Sequence, residues 1–229
     1  NIIILGAHYD TVEGSPGADD NASSIAALLE VHRKITSVVK NFPFKKTIRF
    51  VAFTLEEPPH IFTKHMGSFK YVLNCKKRKD KIELAVIMDM MGYGGKHIYQ
   101  EVPTSDYRRY IPELANFLAV VTIPSCSQYA YLWKRTFNKY AKIPMHELIG
   151  PASIPGTNLS DHSSFLKKDY PAIMVTDTGF YRNENYHMPT DTIDTIQFDF
   201  LANNIYSMYH TLIEIANKPK GLGMPFIKK

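Results

Sequence analysis

Asn1-Ile2-Ile3-Ile4-Leu5-Gly6-Ala7-His8-Tyr9-Asp10 opens the chain, and its reading decides the fold. The run Ile2 to Leu5 is continuously apolar and mostly β-branched, then meets Gly6. Such a run reads as a strand buried on both faces, the kind found in parallel sheets covered by helices. Polar residues able to do chemistry, His8 and Asp10, follow it directly.

Working outward, residues 21 to 39 carry apolar side chains at helical spacing (Ala22, Ile25, Leu29, Ile35, Val38), with Asp19 and Asp20 at the start. Acidic groups there suit a helix dipole. Further strands are predicted at 47–55, 84–88, 145–149 and 172–175. Further helices are predicted at 64–73, 105–120, 131–140 and 198–216, the last clearly amphipathic and ended by Pro219. Alternating strands and helices predict an α/β fold: a mostly parallel central sheet with helices on both faces. Ligands bind such sheets at the carboxyl ends of the strands. His8, Glu56-Glu57 and Asp89 lie just past predicted strand ends, and Asp177 and His187 follow the strand at Ala172.

At 229 residues and 45% hydrophobic, the chain can fill one α/β core, and no linker or repeat divides it. We expect a single catalytic domain over residues 1–229. Asn1 stands directly in a strand, which points to a start further upstream and to missing N-terminal elements. No apolar run approaches the ~20 residues of a membrane span. The net charge is +5, with basic clusters at Lys45-Lys46, Lys76-Lys77-Arg78 and Lys228-Lys229. Without aromatic interleaving these read as solvated helix ends and a tail, not as a nucleic-acid surface. Cys75 and Cys126 allow either two free thiols or one bridge.

Five residues stand out as one candidate metal site: His8, Asp20, Glu57, Asp89 and His187. His8 and Asp10 lie two apart, so on extended backbone they face one way. A histidine that binds metal through one nitrogen needs an acceptor at the other, and Asp10 is placed to supply it. Asp19-Asp20 reads equally as a helix-capping pair or as a cap followed by a carboxylate bridging two cations. Glu56-Glu57 ends an apolar strand; one can bind metal while the other takes a proton from water. Asp89 interrupts the apolar stretch Ala85 to Met91, where a charge requires a partner or a metal. His187 sits before Pro189, whose ring restricts the turn. Other chemistries fail: Gly92-Tyr93-Gly94-Gly95 has His97 where a dinucleotide loop needs its third glycine, and no Gly-x-Ser-x-Gly elbow exists.

In this order the motifs resemble the zinc-dependent aminopeptidase family that includes bacterial leucyl aminopeptidases and aminopeptidase Y. The matching segments are His8-Tyr9-Asp10, Gly17-Ala18-Asp19-Asp20-Asn21-Ala22-Ser23-Ser24, Glu56-Glu57, Asp89-Met90-Met91-Gly92 and Tyr186-His187-Met188-Pro189-Thr190-Asp191-Thr192. Ser160-Asp161-His162 and Asp177-Thr178-Gly179-Phe180 also fit. The resemblance implies two zinc ions, replaceable by manganese or cobalt. Asp20 would bridge them, His8 and Asp89 would complete one site, and Glu57 and His187 the other. Glu56 would be the general base and Asp10 the carboxylate orienting His8. Three ligand carboxylates and one hydroxide balance the charge of two zinc ions. The implied substrates are peptide or protein N-termini, and the family leans toward a secreted or periplasmic setting.

The chain departs from the pattern at named places. Ser24 replaces a glycine. The segment Pro58 to Ser68 is longer than the family's short turn and is expected to reshape the cleft entrance. Thr157 stands where some members carry an oxyanion-stabilising tyrosine, leaving the metal, Tyr129 or Tyr181 as candidates. Phe180, Tyr181 and Arg182 are candidates for the substrate side-chain wall or for core. Two alternatives remain: a single-zinc glutaminyl cyclase, against which the intact His8 argues, and a non-catalytic binding domain derived from a peptidase.

Overall fold

The run at Ile2 becomes a strand longer than its apolar stretch. In the computed structural model β1 spans Ile2–His8, so the histidine is the strand's own last residue. The structure describes residues 1–41, 43–219 and 221–222; the basic tail Lys228-Lys229 lies outside them. The other strands are β2 (Thr47–Phe53), β3 (Ile82–Met88), β4 (Leu118–Thr122), β5 (Met145–Ile149) and β6 (Ala172–Thr176). They form one six-stranded sheet in the order β2-β1-β3-β6-β4-β5. All neighbouring pairs are parallel except β4 with β6. Because β2, β1, β3 and β6 run one way, their carboxyl ends meet on a single edge.

Helices cover both faces, unequally. Helices α1 (Ser24–Val39), α3 (Ser127–Phe137) and α5 (Phe198–Asn217) pack on one face. There Ile3, Leu5, Val86, Ile173 and Val175 meet Val31, Trp133 and Leu212 in the main core. On the other face α2 (Gly67–Lys77) and α4 (His162–Leu166) cover Ile4, Ala85 and Ile87 through Val72, Cys75 and Phe165. Period-two alternation along each strand sends neighbours into different cores. Over β4 and β6 that second face carries only a small cluster, Phe117, Ala119, Val121 and Met174, joined by Ile111 and Leu148.

The predicted helix over 105–120 is corrected by the structure. A single 3₁₀ turn covers Ser105–Arg109, and the chain then reaches β4. Pro112 cannot continue a helix, and Leu118 to Thr122 is an apolar, β-branched run that pairs on both sides. The helix expected at 131–140 starts earlier, at Ser127, after Pro124. The first helix starts at Ser24, and neither Asp19 nor Asp20 caps it. Cys75 and Cys126 are free, buried in different cores. Lys46 is not solvated: its ammonium donates to the carbonyls of Ile215 (3.0 Å) and Lys218 (2.9 Å), tying the end of α5 to the sheet.

Trp133 is the largest fully buried side chain of the main core. Trp133→Ala is expected to cost about 3–5 kcal/mol through lost burial and cavity formation. Denaturant unfolding of both proteins checks this; an equal midpoint would sink it.

Candidate metal centre

Each candidate ligand arrives at the sheet edge by a different device. His8 is delivered by β1, in register with Phe53 of β2. Past β2, Leu55 adopts a left-handed φ of 57°, and Glu56 and Glu57 follow it, both buried. Past β3, Asp89 donates its amide to Val175 of β6 at 3.0 Å, and Met90 then turns with φ 58°. His187 itself has φ 61°. Left-handed conformations are costly for non-glycine residues and persist where surrounding structure over-determines them.

What over-determines them is a mesh of buried hydrogen bonds. Asp191 Oδ1 and Oδ2 accept the amides of Asp19 (3.0 Å) and Asp20 (3.1 Å). Asp19 spends its own carboxylate on the Gly92 amide (2.9 Å), Ser23 Oγ (3.0 Å) and Asn183 Nδ2 (2.9 Å). Asn21 brackets the turn at Asp89, donating to Met88 O and accepting from the Met90 amide. The first aspartate of the pair is thus an anchor and the second is left free to face the site.

The five candidates converge. His8 Nε2 lies 3.3 Å from Asp20 Oδ1 and 3.7 Å from Asp89 Oδ1. His187 Nε2 lies 3.2 Å from Asp20 Oδ2 and 3.2 Å from Glu57 Oε2. One oxygen of Asp20 therefore faces each imidazole. The triads His8–Asp20–Asp89 and Asp20–Glu57–His187 each keep their donor atoms within 4.8 Å of one another. A third grouping, His8–Glu56–Glu57, meets the same limit. Glu56 Oε2 is 3.9 Å from His8 Nε2, beside both triads.

The donor set fits divalent cations. Nitrogen and carboxylate oxygen are the ligands of zinc and its first-row neighbours. His187 Nε2 is equidistant from two carboxylate oxygens yet makes a hydrogen bond to neither, and Glu57 Oε1 is buried without a partner. An atom so placed is better satisfied by a shared cation than by a hydrogen bond. Behind His8, Nδ1 meets the main-chain carbonyl of Asp10 at 3.0 Å, while the Asp10 carboxylate stands 3.9 Å away and accepts the Glu57 amide at 3.2 Å. Asp10 thus reaches His8 mainly through its backbone, and its side chain positions the Glu57 segment instead.

Electrostatics follow the same layout. Burial disfavours charge on His187, but the Asp20 and Glu57 carboxylates outweigh it and raise its pKa to about 9. The same contest, won by Asp20 and Asp89, holds His8 well above the ordinary imidazole value. Burial alone would raise Asp20, yet the two imidazoles bring it down to about 2. Glu56 is pushed well up by burial, reinforced by Asp89, Asp161 and Glu57. A carboxyl with enhanced proton affinity is suited to general-base work near neutrality. Asp161, from the Ser-Asp-His motif, is fully buried with neither carboxylate oxygen hydrogen-bonded, and burial raises its pKa to about 7.

A cavity of about 240 Å³ opens from the triads over the uncovered part of the sheet, past Met174 and Ala119 to Leu148. Phe180 and Tyr181 line it; Arg182 instead turns inward, buried, donating to the carbonyls of Ala115 and Phe117. Ile61 and Phe62 of the long segment after Glu57 form part of the rim. Thr157 is fully buried and Tyr129 belongs to the main core, so neither lines the cavity.

Residues 1–212 match the family model Peptidase family M28. The chain belongs to this family. The Escherichia coli (strain K12) protein YfbL is 33% identical over 215 residues, covering 88% of this chain and 63% of YfbL. Leucine aminopeptidase 2 of Trichophyton rubrum is 27% identical over 240 residues, covering 96% of this chain and 43% of that enzyme. A zinc aminopeptidase from Bacillus subtilis superposes with a TM-score of 0.70 at 26% identity, covering 99% of this chain and 48% of that one. This M28 chain therefore spans less than two thirds of the length of these relatives. What the motifs alone did not reveal is the supporting mesh. Asn183 carries no sequence signal of its own, while Asn21 and Asp191 lie inside quoted motifs without a role, and the anchoring use of Asp19 is not written in its motif.

Asp191→Ala is expected to release the Asp19-Asp20 backbone and weaken zinc binding by roughly 10–100-fold, as removal of a supporting partner does at metal sites. Titration against a competing chelator reads this, with circular dichroism verifying the fold; unchanged affinity would refute the role. The raised pKa values predict a second result. At pH 7 His187, near 9, is protonated, His8 is held above the ordinary imidazole value, and metal binding requires the neutral rings. Zinc uptake should therefore expel protons, and affinity should fall as pH drops. Calorimetry at pH 7 in buffers of different ionisation enthalpy measures this; no proton release contradicts it.

Proposed function

We propose that this chain forms the catalytic domain of a di-zinc aminopeptidase, releasing N-terminal residues from peptides by hydrolysis. The observation that carries the reading is the Asp20 carboxylate, whose two oxygens face His8 and His187 separately. A carboxylate so divided suits two cations and not one. Asp20, His8 and Asp89 would hold the first ion; Asp20, Glu57 and His187 the second. The leucine and zinc aminopeptidases among the relatives support both the metal and the exopeptidase activity.

When bound, the zinc pair supplies Lewis acidity, polarising the scissile carbonyl and lowering the pKa of water. The remaining work falls to the chain. Glu56 takes a proton from water as the new C–O bond forms at the carbonyl carbon. It returns that proton to the amine nitrogen as the C–N bond breaks, so the products are an amino acid and a shortened peptide. Asp10 and Asp191 hold the backbones of the Glu57 and Asp20 segments. The apolar cavity over Met174 and Ala119 receives the side chain of the N-terminal residue and excludes water from it.

Among the described residues no helix is long and apolar enough to cross a membrane. The reading requires only a peptide substrate and divalent metal. A glutaminyl cyclase would need only one of the two triads.

Glu56→Gln is expected to lower kcat on an N-terminal leucine peptide by about 10²–10⁴-fold while both zinc ions remain bound. Glu57→Gln should instead lose one zinc equivalent. Metal analysis beside peptide hydrolysis checks the pair. A single zinc per wild-type chain, or full activity in Glu56→Gln, would overturn the assignment.

A further inference from the structure

We infer that Phe62 is a specificity-determining residue whose ring receives an apolar side chain at the second position of the peptide, just past the bond to be cut. The inference rests on the aminopeptidase reading above and gives a task to the long segment Pro58 to Ser68.

That segment is held at both ends. The Gly67 amide donates to Thr54 O at 2.7 Å, so the chain leaves β2 and enters α2 at one point. A Cβ at Gly67 would stand 2.6 Å from Thr54 O, and glycine permits this close approach. At the other end the amides of His60 (2.8 Å) and Ile61 (3.3 Å) both return to Glu57 O. The Phe62 amide then donates to Sδ of the buried Met66 at 3.1 Å. Phe62 is therefore turned back beside a candidate metal ligand, not carried out on a free loop.

Phe62 is placed there at a cost. It adopts a left-handed φ of 63°, which a residue with a bulky side chain rarely takes. Its side chain is left 43% exposed. A single exposed apolar side chain is ordinary on a protein surface. Among the described residues, however, Phe62 and Phe180 are the exposed large apolar side chains that also line the cavity. Phe180 packs on the rings of Tyr181 and Tyr186, with centroids at 4.4 and 5.7 Å, and belongs to the wall. Phe62 meets no other aromatic ring among the described residues. The Lys167 ammonium stands 4.9 Å from its centroid, a contact that steadies the ring without covering it.

The path of a bound peptide decides what covers that ring. The first side chain descends to the floor at Met174, Ala119 and Leu148. The carbonyl that follows it stands at the metal triads, and the second residue is still at the mouth. There Phe62 offers apolar surface beside Glu57. Burying that surface against a phenylalanine or leucine side chain is favourable, whereas glycine leaves it in water. The substrates favoured are peptides with a large apolar second residue.

Two peptides with the same first residue test this: leucyl-phenylalanine amide and leucyl-glycine amide. The wild-type protein is expected to favour the first by at least about tenfold in kcat/KM. Phe62→Ser should reduce that preference to within about twofold, and Phe62→Leu should keep most of it. Discrimination between leucine and alanine at the first position, with glycine second, should be the same in all three proteins, as should zinc content. A second readout does not use turnover. Calorimetry in the Glu56→Gln background should show Phe62→Ser weakening leucyl-phenylalanine amide by at least about fivefold and leucyl-glycine amide by less than about twofold. No second-residue preference in the wild type, or a preference that survives in Phe62→Ser, would overturn the inference. Altered first-residue discrimination would overturn it by moving Phe62 into the pocket for the N-terminal side chain. Zinc loss in both variants would do so by making Phe62 a support for Glu57. If the zinc-loaded wild-type protein hydrolyses neither peptide, the aminopeptidase reading itself fails and this inference with it.

Discussion

The carboxylate of Asp20 is shared between two imidazoles that approach from different strands, and the local architecture exists to keep it so. Its oxygens stand 3.3 Å from His8 Nε2 and 3.2 Å from His187 Nε2. A buried carboxylate in this position must not be drawn into capping α1, nor rotate onto a backbone amide. Both diversions are prevented by other aspartates: Asp191 takes the backbone amides at positions 19 and 20, and Asp19 takes that of Gly92. Acidic groups in conventional hydrogen-bonding roles leave one acidic group unconventionally free.

The sheet explains why residues so distant in sequence can share that carboxylate. Parallel strands β2, β1, β3 and β6 end on one edge, so their loops begin within two or three strand spacings of each other, each about 4.8 Å. The antiparallel β4 breaks the pattern next to β6. No candidate ligand comes from β4 or β5. Their contribution is the uncovered apolar face, with Phe117, Ala119, Val121 and Leu148, that becomes the cavity beside the candidate metal centre. Strand direction thus divides the sheet into a part that supplies the candidate ligands and a part that supplies the cavity wall.

Much of this was legible in the chain. The apolar run at Ile2 announces a buried parallel strand; His8 stands at the end of that strand, and Glu56-Glu57, Asp89 and His187 lie in loops that the sheet brings to the same edge. Helix α5 was readable because its apolar residues recur at helical spacing over its whole length. The failures have identifiable causes. Residues 105–120 mix apolar residues at near-helical spacing with a strand that begins inside the same window, and only Pro112 marks the break. Asp19 and Asp20 carry identical side chains, so which one anchors the turn and which one faces the two imidazoles follows from long-range partners at positions 183 and 191 that local sequence cannot express. The spacing of His8 and Asp10 suggests a carboxylate behind the imidazole, but whether a residue acts through its carboxylate or its carbonyl depends on torsion angles, and here the carbonyl stands nearer.

The treatment of charge follows from these constraints. Isolated carboxylates at this depth would be protonated, and Glu56 and Asp161 are driven that way by burial. Asp20 is driven the other way because both imidazoles face it. The site therefore contains, within a few ångströms, one acid that holds its charge and another that readily accepts a proton. Binding cations and accepting a proton from water demand that contrast, since a single shared pKa would make every carboxylate either a ligand or a base. The contrast arises from geometry alone. Burial raises both Glu56 and the adjacent Glu57, but at Glu57 the imidazole of His187, 3.2 Å away, opposes the rise, while Glu56 lies 3.9 Å from His8 and in the field of Asp161. The left-handed turn at Leu55 that orients them is therefore as much a part of the chemistry as the side chains themselves.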